Sequence, residues 1–194
     1  PEAMGGVILV NPPSLPVSKK HSTEINLLGA SNGRMGNFAA SHSGGSGKIA
    51  GLGYRVQGSV KRAGNVQSPR YFQDNTGMSE YNFSGSIGYS SKKLGVEGCY
   101  SFFNTEIGIL RDSHTGNLSD LVEIIANGEP FNKPDFTYQI NNPRQVVAHH
   151  LAKVKAHYHL SPAYKLNFQY GFQLNERQEF DRRRGDLNAR PSLD

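Results

Sequence analysis

The side chains of this chain best suited to chemistry are its histidines, a few clustered charges and a single thiol. His149, His150, His157 and His159 fall close together. In an extended chain, residues two apart share a face, so His157 and His159 would present paired imidazoles, a spacing that can chelate a metal. Arg111, Asp112 and His114 put a guanidinium, a carboxylate and an imidazole side by side, a set suited to ligand contact. Arg182, Arg183 and Arg184 would attract an anionic chelate or a phosphate. Glu97, Cys99 and Ser101 share one face, but no neighbouring histidine marks an activated nucleophile. Cys99 is the only cysteine, which excludes an internal disulfide and multi-cysteine zinc sites. Residues 44–48 miss the phosphate-loop pattern at His42 and at Ile49. No G-x-S-x-G elbow and no H-E-x-x-H motif occurs. The expectation is a protein that is not an enzyme and needs no cofactor, with binding groups carried on loops.

The elements that would hold these groups are strands. Two-residue alternation dominates the chain. In residues 165–175, Leu166, Phe168, Tyr170, Phe172 and Leu174 alternate with Lys165, Asn167, Gln169, Gly171, Gln173 and Asn175. Residues 146–160 repeat the pattern, with Val146, Ala148, His150, Ala152, Val154, Ala156, Tyr158 and Leu160 opposed to Val147, His149, Leu151, Lys153, Lys155, His157 and His159. Residues 81–90 and 94–105 do so too, and residues 23–30 and 50–60 more weakly. Phe38, Ala40 and His42 give the faintest trace. The count is about seven strands, each with one apolar or aromatic face and one polar face.

The 194 residues are 36% hydrophobic, below the roughly 45–50% of ordinary globular domains, which argues against a thick apolar core. No apolar run is long enough for a membrane-crossing helix. The net charge of +5 is scattered, so nucleic acid is not an expected partner. Pro1-Glu2-Ala3-Met4 does not read as a native start, and residues 184–194 read as an interrupted loop. We therefore expect an internal piece of a longer protein.

The connections alternate in length. Residues 44–48, 91–93 and 161–164 are short, and the segments around 64–78 and 107–143 are long. The longer one predicts a short helix, capped by Asp120 with Glu123 three residues on, and stopped by Gly128. Alternating strands of about ten residues, with short turns at one end and long loops at the other, are the pattern of an outer-membrane β-barrel. The apolar face would meet lipid, with Tyr81, Tyr89, Tyr158 and Tyr170 suited to interfacial girdles, and the polar face would line the lumen. A soluble antiparallel sandwich produces the same alternation. It does not produce the short–long asymmetry, nor strands of up to about fifteen residues. In the barrel register His150 faces lipid, and His157 and His159 lie near the short-turn end.

Ala3-Met4-Gly5-Gly6-Val7-Ile8-Leu9-Val10 is apolar, glycine-led and does not alternate. It resembles the A-x-G-G-V-I-x-V segment that closes the plug of TonB-dependent outer-membrane receptors, just before the first barrel strand. Residues 1–16 would then be the end of the plug and its linker, and residues 17–194 the N-terminal part of the barrel. The family's strand polarity puts every short turn on the periplasmic side and both long segments outside. Glu106-Ile107-Gly108-Ile109, residues 113–118, Pro143-Arg144-Gln145 and Glu179-Phe180-Asp181 look like a subgroup for metal or metal-complex uptake.

The resemblance implies an all-β protein, a barrel of about 22 antiparallel transmembrane strands with a plugged lumen. It would lie in the outer membrane of a Gram-negative bacterium. It would import a scarce ligand (an iron chelate, haem or a metal), in contact with outer-membrane lipid. TonB would supply the work through a segment outside this chain. Two other readings stay open, a passive porin-like barrel and a soluble all-β binding module. A plug tail should lie inside or below the barrel, not join its wall.

Overall fold

The structure, a computed structural model, describes residues 13–111, 118–130 and 133–181. Its strands are β1 His21–Ala30, β2 Met35–Gly45, β3 Leu52–Ala63, β4 Met78–Ser90, β5 Leu94–Gly108, β6 Arg144–His159 and β7 Lys165–Phe180. One helix, α1 Leu118–Asn127, lies between β5 and β6. The seven strands form one sheet in sequence order, each antiparallel to the next.

Every expected strand is present. The faintest, around Phe38, Ala40 and His42, becomes β2 because it carries a ladder on both sides. β5 and β7 outrun their apolar alternation and continue to Gly108 and Phe180, since backbone pairing with β6 carries on beyond the apolar residues. The helix is longer than expected. It starts at Leu118, so Asp120 lies inside it instead of capping it. Gly128 ends it as expected, with a φ of 66° and its N–H on the Ile124 carbonyl at 2.9 Å.

The register keeps the two faces distinct across the sheet. Phe83 pairs with Phe102, Phe102 with His150, and His150 with Leu174 on the apolar face. Ser59 pairs with Asn82, Asn82 with Phe103, and His149 with Asn175 on the other. The apolar face is bare: Leu27 is 76% exposed, Ile87 59% and Phe168 61%. Among the described residues the buried apolar core consists of Ala63 alone. A sandwich would lay a second sheet over this face, and the described residues form a single sheet.

The two ends of the strands differ. Residues 46–51, 91–93 and 160–164 make the short turns at one end. Residues 31–34, 64–77 and 109–143 connect strands at the other. The short-turn edge is stepped. Gly45 pairs with Gly53, and that row meets β4 at Gly88, two residues before Ser90. Ser90 pairs with Gly95, and that row meets β6 at His157, two residues before His159. Each hairpin is thus displaced by about one residue per strand. With a rise of about 3.3 Å and a strand spacing of about 4.8 Å, the strands incline about 35° to the normal of that edge.

Candidate functional site

The long-loop end is a built roof. Asn75 is 1% exposed and stands at its centre. Its Nδ2 donates to the carbonyls of Pro143 at 2.7 Å and Ile109 at 3.0 Å, and its Oδ1 accepts from the Asn141 N–H at 2.8 Å. It therefore ties the 64–77 loop to both ends of the 109–143 connection. Asn75 has a φ of 58°, a left-handed conformation that asparagine tolerates better than most residues. Asn32 exchanges two hydrogen bonds with the backbone of Gln67, at 2.7 and 3.0 Å. Gly64 donates to the Gly33 carbonyl, and Asn65 to the Thr137 carbonyl. The Tyr138 hydroxyl donates to the Arg34 carbonyl at 2.7 Å, and the Arg34 guanidinium lies 4.0 Å from the Phe136 ring centre. At that distance cation and ring attract. Glu129, just beyond α1, pairs with Lys133 and with Arg70. The Lys133 ammonium, and less strongly Arg70, hold the Glu129 carboxyl below the usual carboxylate range.

The polar face of the sheet carries a groove of about 470 Å3 lined by Glu24, Asn26, Ser41, Gln57, Ser59 and Asn82, among others. Below it, residues 13–18 cross the same face beside the short turns without joining the sheet. Arg55 Nη1 and Nη2 hold the carbonyls of Pro13 at 2.9 Å and Ser14 at 3.2 Å. The crossing runs over Gly45, Gly53 and Gly88, which lie in one cross-strand row. A Cβ at Gly45 or Gly53 would overlap the Ser18 or Pro16 carbonyl, and one at Gly88 would press on Leu15. The missing side chains make the channel in which this strap lies.

The structure places some of the candidate residues. Arg111 is half-buried under the roof, 2.9 Å from the Asp74 carboxylate, with Nε donating to the Asn142 carbonyl at 3.4 Å. It acts there as a strut between loops. His157 and His159 share the polar face near the short-turn end, with ring centres 5.7 Å apart, and the His157 ring lies over Gly95. No third ligating group joins them into a metal cluster among the described residues. Asp112, His114, Arg182, Arg183 and Arg184 lie outside the described residues.

Sequence reasoning missed the roof hub. Its one local sign is the turn-forming run Asp74-Asn75-Thr76-Gly77. A second group was also missed: on the apolar side near the short turns, the Tyr54 hydroxyl lies 3.0 Å from His42 Nε2 and 3.2 Å from His21 Nδ1. No protein-family model, curated protein or solved structure matches this chain.

Proposed function

We propose that these strands form part of the wall of an outer-membrane β-barrel. The whole protein would be a plugged receptor that uses TonB-derived energy to import a scarce ligand, an iron chelate, haem or a metal. The observation that carries the membrane reading is the bare apolar face and its limits. Outward apolar residues run from Tyr81 to Tyr89, from Leu94 to Phe102 and from Leu166 to Leu174. Each run is about nine residues, or about 26 Å along the strand, and about 22 Å once tilted by about 35°. A transmembrane barrel needs an apolar band of about 25 Å. Above the band the same face turns polar: Glu106 pairs with Arg144 at 3.1 Å, and Glu176 and Gln178 follow Leu174. Within the band, His150 packs on Phe102 at 4.7 Å between ring centres, and its Nδ1 shares a hydrogen bond with the Tyr100 hydroxyl at 2.8 Å. That contact lowers the cost of a polar ring facing lipid.

The plugged reading over a passive barrel rests on the strap. Residues 13–16 cross the lumen side and do not add a strand to the wall. The resemblance of residues 3–10 to the end of a plug points the same way. The ligand classes come from that resemblance, and the polar groove and the roof are the surfaces available to receive one.

The test is to fractionate cells making the complete protein, grown with and without iron. Outer-membrane location with induction on iron starvation is the expected result. Outer-membrane location without induction would leave a passive barrel or another nutrient. A soluble protein would overturn the barrel.

A further inference from the structure

The short-turn end carries one sign of charge. Lys19, Lys20, Lys48, Lys92, Lys93 and Lys165 are all exposed there. Residues 17–20, 46–51, 91–93 and 160–165 contain no Asp or Glu. None of these lysines makes an ion pair among the described residues. The five described ion pairs lie at the long-loop end or just beneath it. The carboxylates nearest the rim in the ladder are Glu24, opposite Ser41, and Glu97, opposite Lys155, both on the polar face.

The lysines also stand at a defined depth. Tyr54, Tyr89 and Tyr158 are outward residues near the short-turn margin of the apolar face, one beside each turn. The Tyr54 hydroxyl already sits in a polar cluster with His21 and His42. Tyrosines at the margin of an apolar band fix the level of lipid headgroups. The turn lysines follow within a few residues, at the level of the phosphates.

We infer that the short-turn rim binds the headgroups of anionic phospholipid, of the phosphatidylglycerol class, in the leaflet that faces the turns. The inference rests on the membrane reading above. Each ammonium is a compact charge on a flexible stem, able to follow a mobile phosphodiester without fixed geometry. An acidic protein below the rim would meet the same charges, but would leave the aromatic margin at headgroup level without a role.

The test uses the complete protein in phosphatidylcholine bilayers containing spin-labelled phosphatidylglycerol or spin-labelled phosphatidylcholine. The motionally restricted fraction of each label gives their relative affinity for the protein's lipid contacts. A lysine at an anionic surface contributes about fivefold. We expect phosphatidylglycerol to be favoured at least about fivefold at low salt. We expect the preference to shrink at about 1 M salt, where charges are screened within about 3 Å. The double substitution Lys92→Gln with Lys93→Gln removes two of the six rim lysines, and should weaken the preference and leave the total restricted lipid unchanged. Restricted lipid without any preference overturns the inference, leaves the membrane reading standing and points to an acidic protein at the rim. A preference that neither the double substitution nor high salt lowers also overturns it. No restricted lipid at all overturns the membrane reading, and the inference with it.

Discussion

At the short-turn end each turn is closed by its own serine, and single backbone bonds join neighbouring turns, from the Ser90 N–H to the Gly51 carbonyl at 2.9 Å and from the His159 N–H to the Lys93 carbonyl at 2.8 Å. Ser46 Oγ accepts from the N–H groups of Lys48 and Ile49, Ser91 Oγ from Leu94, and Ser161 Oγ from Ala163. At the long-loop end the partners come from far along the chain: Asn32 with Gln67, Asn75 with Asn141 and Pro143, Tyr138 with Arg34. The described residues bury side chains in this roof, not between layers. Asn65, Asp74 and Asn75 are buried there, whereas among the described residues Ala63 is the whole buried apolar core. The difference teaches where stability resides in a single sheet. One end is a row of hairpins, each closed mainly by local bonds and joined to the next turn by a single backbone bond. The other is a cooperative polar assembly whose pieces hold only together.

Substitutions on each side can break or sharpen this contrast. The largest effect is expected at the hub. Asn75→Ala takes this partner from the Ile109 carbonyl and the Asn141 N–H and leaves the Pro143 carbonyl with the Ile109 N–H alone, and should cost about 3 kcal/mol of roof stability. Hydrogen exchange should quicken across residues 64–77 and 133–143 together and stay unchanged at the short turns. Asn75→Gly removes any strain of the left-handed backbone and should be nearly as damaging. If it behaves like the wild type, the amide is not the hub.

Arg111→Gln comes next. It removes the cation from the largely buried Asp74 carboxylate, which keeps other contacts, and should cost about 1–2 kcal/mol. The measurement is again exchange in the roof, with Asp74→Asn as the matching variant. An effect confined to residue 111 would mean that the strut does not couple the loops. Ser91→Ala tests the opposite end. It should cost about 0.5–1 kcal/mol and quicken exchange only around residues 91–94. Spread of that effect to the other hairpins would abolish the distinction.

The smallest effect is expected at Glu129. Its carboxyl is held below its ordinary value of 4.5, so its contribution is present above that pH. The contribution fades as pH falls below 4.5 toward the folded-state value. Glu129→Gln should flatten the acid dependence of proteolysis around α1 and change little at neutral pH. An acid dependence that persists in the variant would place its origin elsewhere in the roof.

The strands were legible because alternation is a local signal, and a single sheet with one bare face preserves it. Phe168, Tyr170 and Phe172 stand on one side in the sequence and on one side in the structure. The ends of β5, β6 and β7 were less legible. Polar residues such as Glu106, Glu176 and Gln178 extend the ladder without an apolar pattern to mark them. The candidate site was hardly legible. Arg111 was recognisable as a charged loop residue, but its partner Asp74 lies 37 positions away. Asn75 has nothing in its own neighbourhood to set it apart from any turn asparagine.

The sequence by itself determined the strand number, the two faces and the short turns with their serines and lysines. Each follows from residues within a few positions of one another, through side-chain alternation or hydrogen bonds closed inside a turn. Only the tertiary structure decided the register with its step of about one residue per strand, the glycine row beneath the strap, and the roof around Asn75. Those depend on which distant backbones lie side by side, and that pairing is settled by ladders and contacts that no short stretch of sequence contains.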